Sequence, residues 1–260
     1  MPDNINTLTE GLGKTLETVP ELYEDAFQPA TKETGKLIAL IPRAINAAFS
    51  GLEKWILNKE YNVEETKKIL AQKLENVEPE KIVEPEAYVA VPAIQAISYA
   101  MNSEELRNLY ANLLAKAMNS DEKDKVHPGY IETIKQLSPA DATYFKHIHS
   151  LRTRPLVDVS LRSPKNSSLI LAQNCNSFSS DYNNVLLIID NLVRLGLINI
   201  PENSWYSNAS LYDPLIKNLE KAFPLESYKI FHPDASKIAF SKKRIDITSY
   251  GENFYKTCVI

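Results

Sequence analysis

The chain has 260 residues, 44% hydrophobic and 24% charged, with a formal net charge of −4. That is the composition of a globular protein with apolar material for a sizeable core, which excludes a disordered coat and a fold that needs disulfides or metal. Residues 152–260 carry 13 Lys and Arg against 10 Asp and Glu, and residues 1–151 carry 16 against 23, a balance unlike that of a general nucleic-acid coat.

The opening stretch MPDNINTLTEGLG lacks the basic and apolar regions of a secretory signal. From Leu8 to Phe27, apolar residues recur at helical spacing, with breaks expected at Pro20 and Pro29. Gly35 to Leu57 reads as an amphipathic helix with a wide apolar face, Leu37, Ile41, Ile45, Phe49, Leu52 and Trp55, kinked or restarted at Pro42. That face either packs against other helices or a second subunit, or lies in a membrane interface. Arg43, Asn46, Glu53 and Lys54 interrupt any full span. A third helix is expected over 63–75, capped by Asn62 with Glu65 reaching back.

The run VEPEKI/VEPEAY within 76–87 favours an extended linker. Beyond it, an apolar helix is expected over 93–101. Asn102 and Glu105 then open the clearest amphipathic helix, with Leu106, Leu109, Tyr110, Leu113 and Leu114 on one face. A short helix over 130–137 precedes Ser138-Pro139-Ala140-Asp141, where a serine cap, a proline at the first position and an acid at the third start a helix to about Leu151. Short strands follow. A helix over 182–195 ends at Gly196, LINI (197–200) reads as a strand, and Asp213-Pro214 starts a helix to about Phe223. Residues 236–247 read as a hairpin turning at Lys242-Lys243-Arg244, and a last helix covers 250–258.

The expected fold is therefore mainly α: an N-terminal and central helical bundle followed by a small α+β, winged-helix-like C-terminal module. The expected units are an arm over 1–78, a linker over 79–87, a central body over 88–151 and the α+β module over 152–260.

The ordered strings VAVPAIQAISYAMNSEELRNLYANLLAKAMN and VHPGYIETIKQLSPADA, preceded by YEDAFQPATKETGKLIALIPRAINAAFSGLEKW and closed by ITSYGENFYKTC, resemble the bacterial abortive-infection alpha family. The resemblance covers most of the chain and is weakest across 152–180 and 200–235. It implies a role in phage defence, in which infected cells stop supporting phage multiplication. It carries over no enzymatic residues.

The residues themselves offer no catalytic motif. Gly11-Leu12-Gly13-Lys14-Thr15 imitates the end of a P-loop, but Leu8 stands where the phosphate-wrapping glycine belongs. His147 and His149 are two apart on a helix and point to nearly opposite sides. His127, before Pro128, fits a side chain that fixes a turn better than a catalytic base. Cys175 and Cys258 show no CxxC spacing and suit a reducing compartment. The expectation is a cytoplasmic protein, not an enzyme, with no metal and no cofactor. Arg107, Lys116, Lys135, Gln136 and Asp141 are polar residues of the family-like core, and either form a solvated face with capping roles or contact a phage or host partner. Lys242, Lys243 and Arg244 suit phosphate contact, but the helix beside them offers Arg194 with Asp181 and Asp190, poor material for reading bases. A protein partner or self-association stands first among the expected interactions, a membrane second and a nucleic acid third.

Overall fold

The structure, a computed structural model, describes residues 45–46, 60–100, 102–164 and 167–260. The helix expected over 8–27, the P-loop imitation, and all of the 35–57 face except Ile45 lie outside the described residues.

Among the described residues from 60 to 150, five α-helices follow one another: α1 (Glu60–Leu74), α2 (Ala87–Tyr99), α3 (Glu104–Ala117), α4 (Gly129–Lys135) and α5 (Pro139–Ser150). Helix α1 opens before Asn62, which therefore lies inside the helix and does not cap it. Helix α2 starts at Ala87 and carries Pro92 within it. The cap of α3 is Ser103, one residue beyond the expected Asn102; its hydroxyl accepts from the Leu106 N–H. Between α1 and α2, the Val83 N–H donates to the Met118 carbonyl and the Ser120 N–H to the Lys81 carbonyl, which ties this segment to the end of α3.

Helix α5 has the capping box that its sequence announces. The Ser138 hydroxyl accepts from the Asp141 N–H, and the Asp141 carboxylate accepts from the Ser138 N–H at 2.7 Å.

The second half interleaves strands and helices: β1 (Pro155–Arg162), β2 (Ser168–Cys175), α6 (Tyr182–Arg194), β3 (Ile198–Asn199), α7 (Asp213–Ala222), α8 (Leu225–Lys229), β4 (Lys237–Arg244), β5 (Asp246–Ile247) and α9 (Ser249–Phe254). Helix α9 runs on into a π-turn over Tyr255–Val259. Strands β2, β1 and β4 form an antiparallel sheet in that order, and β3 pairs with β5. The hairpin expected over 236–247 is thus absent. Lys242-Lys243-Arg244 lie within β4, opposite Val157, Leu156 and Pro155 of β1. The alternation that marks a strand is local, whereas its partner is chosen by burial. At Ile245, buried in the main core, the chain leaves one sheet and enters the other.

The main core joins Ile45 to Leu70 and Leu74 of α1, to the inner faces of α2 to α6, and to Leu156, Ile198, Ile245, Phe254 and Cys258. It therefore takes side chains from both sides of residue 151. Ile45 is 1% exposed. A second core, Val157, Val159, Cys175, Tyr212, Leu215 and Leu219, lies between the sheet and α7. Strand β1 serves both, sending Leu156 one way and Val157 and Val159 the other, as a period of two requires.

Helix α6 ends in a Schellman turn. Gly196 takes φ +70°, its N–H donates to the Val193 carbonyl, and the Leu197 N–H donates to the Leu192 carbonyl. Thr248 then binds this end to α9: its hydroxyl donates to the Gly196 carbonyl and accepts from the Gly251 N–H, so it caps α9. A Cβ on Gly251 would lie 2.0 Å from the Leu197 carbonyl oxygen. Gly251→Ala is therefore expected to destabilise the fold by about 1–3 kcal/mol, as overpacking against backbone does. Urea unfolding of the variant checks this.

Candidate partner-recognition site

An open pocket of about 770 Å³ on the described surface combines aromatic and charged groups. Its lining comes from four places: Asp190 and Val193 of α6, the end of β3 with residues 200–203 and Trp205 after it, Phe240 to Lys243 of β4, and Asn174 near the end of β2.

The floor is a fixed polar unit. The Lys243 ammonium donates to both Asp158 oxygens, at 3.2 and 3.1 Å, and to the Asn174 side-chain oxygen at 2.6 Å. The Asn174 N–H in turn donates to Asp158 at 2.8 Å. Register between β1 and β2 shifts between Val157 and Val159, and Asn174, at φ 53°, sits in that irregularity. A bulge of this kind re-aims a side chain, here toward Lys243.

The wall is the loop carrying Trp205, which is 54% exposed. A relay of tyrosines anchors the loop. The Arg154 N–H donates to the Tyr206 hydroxyl, the Tyr206 N–H to the Tyr212 hydroxyl, and the Tyr212 hydroxyl to the Lys243 carbonyl at 2.9 Å. Tyr212 is fully buried in the second core. Among the described residues, the two non-glycine residues with positive φ are Asn174 and Asn203, and both line this pocket. Asparagine tolerates the left-handed region, and such positions gather at binding sites.

A family model described as abortive infection alpha matches residues 58–258. The chain belongs to that family. Comparison with curated proteins and with solved structures finds no match. The abortive infection alpha match takes in every residue of the pocket.

Of the residues singled out from the sequence, Lys242 and Lys243 line this pocket, and Arg244 stands beside them. Two of the three are ion-paired, and the third lies against a ring. Lys243 is matched by Asp158, Arg244 pairs with Asp246 at 3.1 Å, and Lys242 stands over the Tyr212 ring at 5.2 Å. Gln136 and Asp141 lie elsewhere and join helices. Asn191 of α6 donates to the Gln136 carbonyl and to the Asp141 carboxylate, and Arg194 donates to the Gln136 side chain at 2.7 Å. Lys135 pairs with Glu132 in its own helix, and Lys116 with Glu122. Arg107 lines a polar groove with Glu65, Lys73 and Glu104. His127 fixes its turn as expected, its Nδ1 accepting from the Gly129 N–H at 3.0 Å. His149 stacks on Tyr255 and meets Glu252 at 3.1 Å.

Sequence reasoning missed Trp205, Asp190, Glu202, Asn174 and Asn203 as pocket residues. The available signal was a tryptophan set in the polar run PENSWYSN, where burial has no claim on it.

Both thiols are poor nucleophiles. Burial, with Asp158 adding to it, pushes Cys175 up to about 11, and burial raises Cys258 as well. The folded chain therefore holds thiol protons that the unfolded chain releases. The associated stability is complete below about pH 9, the ordinary thiol value, and falls as pH rises toward about 11. Thermal melts across that range are expected to show a decline that is smaller in Cys175→Ala.

The polar floor yields a second expectation. Lys243→Ala strands Asp158 and is expected to cost about 1–3 kcal/mol, below the range for a fully buried pair because both side chains keep some exposure. Adding Asp158→Asn is expected to recover part of that loss, measured by a double-mutant cycle in urea.

Proposed function

We propose that this member of the abortive infection alpha family is a non-enzymatic phage-defence protein that acts by recognising a protein partner at the Trp205 pocket. The observation that carries this reading is Trp205 itself, a half-exposed indole on a loop that Tyr206 and the buried Tyr212 hold in place. Tryptophan dominates binding hot spots because it offers a large rigid surface with little entropy to lose. A loop fixed before the partner arrives keeps the ordering cost of association low.

Two other readings are weaker on physical grounds. Among the described residues no helix is long and apolar enough to cross a membrane. Ile45, the one described residue of the apolar face over 35–57, is buried in the main core, which favours packing for that face. Phosphate contact by Lys242, Lys243 and Arg244 competes with partners that each already has inside the fold. The order α6, β3, β5 and α9 supports reading this half as a docking module, and the winged-helix-like form remains part of the proposal.

A phage challenge of a sensitive bacterial host expressing the chain tests the proposal. Trp205→Ala is expected to lose most of the protection, with plaque numbers rising at least about tenfold, the scale of a hot-spot loss. Its melting temperature is expected to stay unchanged, since the side chain is half exposed. Full protection by a folded Trp205→Ala chain would overturn the reading.

A further inference from the structure

The pocket's charges also define the partner's chemistry, an inference that rests on the recognition reading above. Lys243 is ion-paired with Asp158 and bonded to Asn174, whereas Lys242 lies over the Tyr212 ring and keeps its charge without a carboxylate partner among the described residues. The carboxylates of Asp190 and Glu202 are exposed and make no ion pair or side-chain hydrogen bond among the described residues. The groups left to meet a ligand are thus the indole of Trp205 and two carboxylates against the single ammonium of Lys242, an excess of negative charge. An aromatic face attracts a cation, and a guanidinium above all, while the carboxylates supply its counter-charge. A phosphate brought to the same place would meet Asp190 and Glu202 with only Lys242 to offset them.

The shape of the site adds a second constraint. Strand β4 is an outer strand of its sheet, and its residues Phe240 to Lys243 form one side of the pocket. A chain segment laid along such an edge is extended, and alternate side chains fall to the same side.

We propose that the pocket takes the arginine or lysine side chain of an extended, basic segment of the partner polypeptide, seated on Trp205 beside Asp190 and Glu202. The full-length protein is titrated with a fluorescein-labelled peptide alternating Arg with Ser, with its Glu–Ser counterpart, and with a thymidine oligonucleotide of similar length, followed by fluorescence anisotropy. The Arg–Ser peptide is expected to bind. Its affinity is expected to fall at least about tenfold in Trp205→Ala and in Asp190→Asn/Glu202→Gln, while both variants keep the wild-type melting temperature. Equal affinity in wild type and variants, no binding of the Arg–Ser peptide, or preferential binding of the acidic peptide or the oligonucleotide would each overturn the basic-segment proposal.

The phage challenge separates this from the broader reading. Protection that depends on Trp205 without site-dependent Arg–Ser binding removes the basic partner and leaves protein recognition standing. Protection that survives every folded variant removes recognition at this site, whatever the peptide does.

Discussion

The joint at the end of α6 holds the two halves of the protein in one arrangement. Gly196 turns the chain through a left-handed conformation, and Thr248 accepts that end and starts α9 from it. The approach of Gly251 to the Leu197 carbonyl leaves no room for a side chain, so the contact fixes both position and angle. From there Phe254 and Cys258 enter the main core, and the Asn112 side chain donates to the Cys258 carbonyl. Without this closure, α3 would lose the π-turn that packs against it, and β5 would lose the strand it pairs with.

Such a closure explains how a pocket can be built largely on loops. The Trp205 loop has little regular structure of its own, yet its tyrosines reach a carbonyl of β4 and a buried ring of the second core. Strand β4 is in turn registered along the whole of β1. Rigidity passes from sheet to loop through part-buried hydrogen bonds that converge on the buried Tyr212. The polar floor works the same way, because Lys243 holds strands β1, β2 and β4 together while forming part of the surface.

Local signals in the sequence carried well into the structure, and long-range ones did not. The capping box of α5 and the glycine stop of α6 are dictated within a few residues, and both stand where the sequence places them. The amphipathic pattern of α3 is likewise self-contained. By contrast, KIAFSKKRIDI reads as strand material at any position, and nothing within it says that Lys243 lies opposite Leu156 while Ile247 lies opposite Ile198. The polar residues of the central helices posed a related difficulty. Gln136 and Asp141 read as available charges and amides until α6 is packed over them and Asn191 and Arg194 take them up. Trp205 carried no periodicity at all, so its place in the pocket is visible only in the folded chain.

The position of Cys258 within the main core has a consequence for the order in which the molecule can form. Phe254 and Cys258 share the core of α3, and the Asn112 side chain meets the Cys258 carbonyl across 146 residues of sequence. Contacts so far apart carry the entropy of loop closure before they are rewarded, which makes the seam between α3 and the π-turn a slow, non-local step of folding. Helices α1 to α5, nearer one another in sequence, can associate before that seam closes.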